Sequence, residues 1–225
     1  MDLTPEQLLR LVLQEYIETA APVGSQYLVE RYTLGISPAT VRNWFAELDE
    51  LGLLEQPHTS GGRIPTEAAF KQYVEQGLVP KPAGKRSRER LVAAARYSHD
   101  ERLKSIAREL SELTGLTAIV AYEGTDTYYT GLSKLLAQPE FRDWQSVVHL
   151  TKLLDQLDQT LAGLRRIRFD EPLVLLGKDC PFGPDCSLLV ARGPHGELIG
   201  LLGPIRMEYQ EAMSHLISAL DALNS

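Results

Sequence analysis

Apolar residues recur at helical spacing along the first third of the chain, and polar cap residues punctuate them. Thr4 precedes Pro5 and stands three residues before Gln7, the reciprocal capping pattern of a helix start. The stripe Leu8, Leu9, Val12, Leu13, Tyr16 and Ile17 follows at helical period. "APVG" breaks it, and Ser25 is placed to cap a short second helix running to about Tyr32. "TLGIS" reads as a turn. Ser37 then caps a third helix, apolar at Val41, Phe45, Leu48 and Leu51 and ended by Gly52. "LLEQP", the glycine-rich tip "HTSGG" and "RIP" predict a short two-stranded ribbon. Thr66 caps a closing helix. Two helices joined by a tight turn and followed by a ribbon describe a winged helix-turn-helix, expected over residues 1–78.

"LVPKPAGKRS" carries prolines, a glycine and cations without apolar period, so it marks a boundary. Residues 79–114 read as a basic linker and a connector helix, apolar at Leu91, Ala94, Leu103, Ile106, Leu110 and Leu113. Tyr97–Asp100 is a candidate interruption. Over residues 115–225 strand and helix signals alternate. "LTAIVAY" suits a buried strand, and residues 143–164 a helix. "RRIRF", "LVLLG", "SLLVARG" and "ELIGLLGP" read as short strands, with "GPHGE" as a hairpin turn between the last two. An amphipathic helix from Met207 to Leu223 closes the chain. The fold class expected is α+β: a winged helix-turn-helix, then a small sandwich of antiparallel sheet and helices.

Composition narrows the class. Apolar residues make up 44% of the 225 and charged residues 24%, ordinary for a soluble globular protein. The start "MDLTPEQ" is not a secretory signal, and no apolar run is long enough to span a bilayer. With two cysteines and no export signal, a cytoplasmic location is expected. The net charge of −7 argues against a sprawling, non-specific nucleic-acid binder. Its distribution is uneven. Residues 1–80 hold only Arg10, Arg31, Arg42, Arg63 and Lys71 as cations, whereas residues 81–108 hold Lys81, Lys85, Arg86, Arg88, Arg90, Arg96, Arg102, Lys104 and Arg108.

The third helix carries the chemistry. Opposite its apolar face stand Ser37, Ala39, Arg42, Asn43 and Ala46. Arginine donates twice to a guanine edge, and asparagine both donates to and accepts from an adenine edge. Ala39 suits contact with a thymine methyl, and Ser37 and Thr40 at the helix start suit a phosphate. Arg63 stands at the ribbon, placed for the DNA backbone or minor groove, and His58, which begins its loop, is a candidate either to hold the loop or to touch a phosphate. On spacing alone, a solvated helix face accounts for Arg42 and Asn43 as well.

The run "QEYIETAAPVGSQYLVERYTLGISPATVRN", followed by "ELDELGLLEQPHTSGGRIPT", resembles the DNA-binding head of the heat-inducible transcription repressor HrcA family, from Leu11 to Thr66. "TGLSKLLAQPEFRD", "DCSLLVARG" and "IGLLGPIRMEYQEAMSHLISAL" resemble that family's GAF-like C-terminal domain. The resemblance implies a homodimer that binds an inverted-repeat operator, of the type called CIRCE, and represses heat-shock chaperone operons. It also implies the chaperonin as a partner that keeps the repressor active. The chain departs from the pattern in places. Trp44 and Phe45 stand where an acid and a methionine are usual, and the loop reads Ser-Gly-Gly-Arg rather than Ser-Ala-Gly-Arg. Between "LTAIVAY" and "TYYTGLSKLL" only "EGTD" remains, where further strands and an inserted dimerising domain are usual. The chain therefore reads as a shortened relative. With that domain missing, the stripe Leu103, Ile106, Leu110 and Leu113 is the favoured dimer interface, ahead of the terminal-helix stripe Met213, Leu216, Ile217, Leu220 and Leu223.

Other residues carry less. Cys180 and Cys186 in "CPFGPDC" lack the further ligands a zinc site needs, so no metal and no cofactor are expected. His149 and His215 lie on amphipathic helices and need no function. No GxGxxG, GxxxxGK, HExxH or GxSxG occurs, so an enzyme is not expected. Two other readings remain: a small-molecule-gated regulator with a GAF-like sensor, and a protein-interaction module that has lost DNA binding.

Overall fold

The computed structural model describes residues 3–57, 61–79, 81–122, 126–142, 148, 151–152 and 157–225. The chain divides into two compact units, Met1–Gly77 and Leu78–Ser225.

The first unit starts with α1 (Pro5–Thr19), α2 (Ser25–Tyr32) and α3 (Pro38–Glu50). A two-stranded antiparallel ribbon follows, β1 (Leu54–Glu55) with β2 (Ile64–Pro65), and α4 (Glu67–Gly77) closes the unit. The caps form as their spacing predicts. Gln7 N donates to Thr4 Oγ1, Thr4 N donates to Gln7 Oε1, and Thr40 N donates to Ser37 Oγ at 3.1 Å. At α2 the cap is Gly24, not Ser25, which is the first residue of the helix and makes no capping bond. Leu8, Val12, Leu13, Leu28, Val41, Phe45, Leu48 and Phe70 form the core, each at most 2% exposed.

The second unit opens with α5 (Lys85–Ala95) and α6 (His99–Thr114). Residues 79–114, set apart above as a linker and connector helix, thus contribute two helices to this unit, and the break falls at residues 96–98. A five-stranded antiparallel sheet follows: β3 (Thr117–Ala121), β4 (Thr127–Thr130), β5 (Leu173–Leu176), β6 (Cys186–Arg192) and β7 (Leu198–Pro204). Their order across the sheet is β4-β3-β7-β6-β5. The mixed helix-and-sheet class expected from the sequence is therefore observed. Helices α7 (Leu132–Leu136), α8 (Leu157–Arg166) and α9 (Tyr209–Asn224) complete the unit.

Alternation along the strands assigns the two faces. Ile119, Ala121, Leu188, Val190, Leu198 and Leu202 pack with Leu135 of α7 and Leu157, Leu161 and Leu164 of α8. The alternate residues face α6 and α9, and α5 packs on those two helices. This double cover explains why β3 and β7 are buried at every position and read as continuous apolar runs.

"RRIRF" is not a strand. Arg165 and Arg166 end α8, and Arg192 Nη2 donates to the carbonyls of Arg165 and Ile167 at 3.0 and 2.8 Å. The Arg192 guanidinium also lies over the Phe169 ring, 4.8 Å from its centre. These contacts draw the segment off the sheet edge. Half of the helix expected over 143–164 lies outside the described residues; its end is α8.

Candidate nucleic-acid interface

The candidate interface is built on α3 of the first unit. Thr33, with φ of 50°, ends α2, and Gly35, with φ of +71°, turns the chain toward α3. Gly35 suits that left-handed backbone because it has no Cβ. Val41, Phe45 and Leu48 then bury one face of α3. Ser37, Ala39, Arg42, Asn43 and Ala46 are exposed, and Thr40 is half-buried beside Ser37 Oγ. Among the described residues neither Arg42 nor Asn43 makes an ion pair or side-chain hydrogen bond. The two side chains are neighbours on an exposed face, with their hydrogen-bonding groups open to an incoming surface. His58 lies outside the described residues.

A buried carboxylate holds α2 on α1. Glu15 of α1 is 2% exposed. It accepts the hydroxyls of Tyr27 and Tyr32 of α2, each at 2.6 Å, and Arg31 Nε approaches at 3.5 Å. Burial pushes the Glu15 carboxyl up, but the hydrogen bonds from Tyr27, Tyr32 and Arg31 outweigh it, and the net shift is down. Tyr32 moves the other way, pushed up to about 12 by burial and by its bond to the carboxylate. The sequence pattern alone does not reveal this anchor. Its signal is an acid among the apolar positions of α1, with two tyrosines and an arginine on the next helix.

Arg63, expected at the DNA backbone or minor groove, makes an ion pair inside its own unit. Its Nε reaches both oxygens of Asp49, at 3.0 and 2.8 Å. Asp49 sits near the end of α3, within reach of β2, so the guanidinium meets a fixed carboxylate first.

Three of the four residues expected to form the dimer stripe are turned inward. Leu103 is 3% exposed, and Ile106 and Leu110 are fully buried inside their own unit. Leu113 is half-buried. The stripe is apolar because α6 packs on its own sheet and on α5 and α9, which leaves Leu103, Ile106 and Leu110 no surface for a second copy. Cys180 and Cys186 are buried free thiols. Burial pushes Cys180 up to about 12 and Cys186 up as well. No described helix is long and apolar enough to cross a membrane.

Residues 89–213 match the family model described as HrcA protein C terminal domain. A heat-inducible transcription repressor HrcA of Carboxydothermus hydrogenoformans is 42% identical over 127 residues, which cover 53% of this chain and 36% of that protein. The namesake from Moorella thermoacetica is 44% identical over 124 residues, again 53% of this chain and 36% of the relative. The matched stretch thus spans about a third of the length of these curated relatives. The crystal structure of a hypothetical protein at 2.2 Å resolution shares the fold, with a TM-score of 0.81 at 16% identity over 97% of this chain and 96% of that one. Because the family model covers more than half of its residues, the chain belongs to the HrcA family.

Proposed function

We propose that the chain is a sequence-specific DNA-binding transcriptional repressor of heat-shock chaperone operons. On this reading residues 1–78 are a winged helix-turn-helix and residues 115–225 a shortened GAF-like domain. The N-terminal half of α3 enters the major groove, with Arg42 on a guanine edge and Asn43 on an adenine edge. Ala39 meets a thymine methyl, while Ser37, Thr40 and the N–H groups of the helix start meet a phosphate.

The observation that carries this reading is the exposed pair Arg42 and Asn43, on a helix whose other face is locked into a core. The name shared by the curated relatives supports the repressor role. One helix in one groove reads too few bases to find a gene, so two copies act as a homodimer on an inverted repeat of the CIRCE type. The chaperonin is the partner expected to modulate it. The test is a selection of bound duplexes from a random pool. An inverted repeat that emerges supports the proposal, and a pool without any shared sequence overturns it.

A further inference from the structure

The motif "GGRIP" holds chemistry that the reading helix does not use. The ribbon it belongs to is very short, two residues in each strand. A two-stranded ribbon is marginal in water, so its own ladder does not fix its direction. Three other contacts do. A Cβ on Gly62 would stand 2.9 Å from the backbone carbon of Pro22, so only glycine permits this approach. Arg63 N donates to Val23 O at 3.0 Å, and Val23 N donates to Arg63 O at 2.8 Å. The Arg63 side chain turns to α3, where Nε meets both Asp49 oxygens and Nη1 donates to Gly62 O at 3.3 Å. Its guanidinium carbon lies 6.0 Å from the centre of the Phe45 ring, a cation–π distance.

We infer that Arg63 is a positioning residue, fixing the ribbon against α3 through Asp49 and Phe45 rather than gripping a phosphate. The side chains of the pair are 17% and 29% exposed. An ion pair so close to water adds little to stability, so its value is geometric. It links the end of the helix that carries Arg42 and Asn43 to the base of the ribbon. The inference rests on the reading of this unit as a DNA-binding head.

The test uses the full chain and the duplex selected by the unmodified protein. Arg63→Ala, Asp49→Asn and the double variant are compared on that duplex and on a scrambled one, each over a range of salt. We expect each single change to lower affinity for the selected duplex by on the order of tenfold, with the double variant no weaker than either single, as in one coupled network. Affinity for the scrambled duplex and the slope against log salt should stay constant. A phosphate contact gives another pattern. Arg63→Ala would weaken both duplexes and reduce the slope by about 0.9, and Asp49→Asn would strengthen binding by releasing the cation. That result overturns the inference alone. An unmodified chain that selects no duplex overturns the DNA-binding reading and this inference with it. If Arg63→Ala does not fold, Arg63→Lys serves. It keeps the charge and loses the planar group, so positioning predicts lost discrimination, and a point-charge contact predicts normal binding.

Discussion

Glu15, only 2% exposed on α1, accepts the Tyr32 hydroxyl of α2 at 2.6 Å. A buried carboxylate needs such partners, since an unmet charge in a core is costly. Replacing Glu15 by Gln should lower the unfolding free energy of the first unit by about 1–3 kcal/mol at neutral pH. The pH dependence has two limbs of opposite sign. The Glu15 carboxyl is lowered from 4.5 in the folded chain, so its contribution is present above 4.5 and lost as pH falls through the lower folded value. Tyr32 is raised from 10.0 to about 12, so its contribution is complete below 10.0 and lost as pH rises to about 12. Denaturant unfolding across pH checks both limbs. Glu15→Gln should flatten the acid limb, and Tyr32→Phe the alkaline one.

Base reading by α3 predicts separable losses. Arg42→Ala and Asn43→Ala should each weaken specific binding by about 1–3 kcal/mol and relax one position of the operator. Affinity measured on single-base operator variants checks this. Unaltered base preference in both proteins would leave the pair as a solvated face.

The outer face of α5 carries Lys85, Arg88, Val92 and Arg96, with Arg86 at its flank. Arg90 is different, since it is tied to Glu109 at 2.7 Å. If the exposed arginines meet phosphates, exchanging Arg86, Arg88 and Arg96 for Ala should reduce the slope of log affinity against log salt by about 0.9 for each phosphate no longer neutralised. Arg90→Ala should change it least. Identical slopes would show that α5 stays clear of the DNA.

The burial of Leu110 changes what its substitution does. A leucine on a dimer surface can become a glutamate and leave a folded monomer, whereas a core leucine cannot. Leu110→Ala should cost the second unit about 2–5 kcal/mol. The double change Leu103→Glu and Leu110→Glu should abolish its cooperative unfolding. Circular dichroism with light scattering distinguishes this from a folded monomer.

Local signals carry most of the fold. Thr4, Ser37 and Gly52 announce helix ends because capping acts over three or four residues, and a one-sided apolar stripe is legible wherever one face is buried. Long-range partners are less legible. Arg63 looks free in the sequence because Asp49 is 14 positions away, and nothing local marks that pair. The stripe on α6 looks the same whether a sheet or a second copy covers it; only the tertiary fold decides. The strand expected at "RRIRF" fails for a related reason. A tertiary contact from Arg192 overrides a local β preference.

The two cysteines have a use that burial confers. Both lie in the second unit, and the first contains none. Their raised values keep the reactive thiolate scarce at neutral pH, and the packed core shields the sulfur from reagents. An alkylating agent therefore reaches them when the sheet unit opens, at a rate set by how often it does so. The unmodified chain thus carries its own labelling clock. Heat or a bound partner that loosens or tightens the sheet would be timed by it, while the cysteine-free helices of the first unit stay silent.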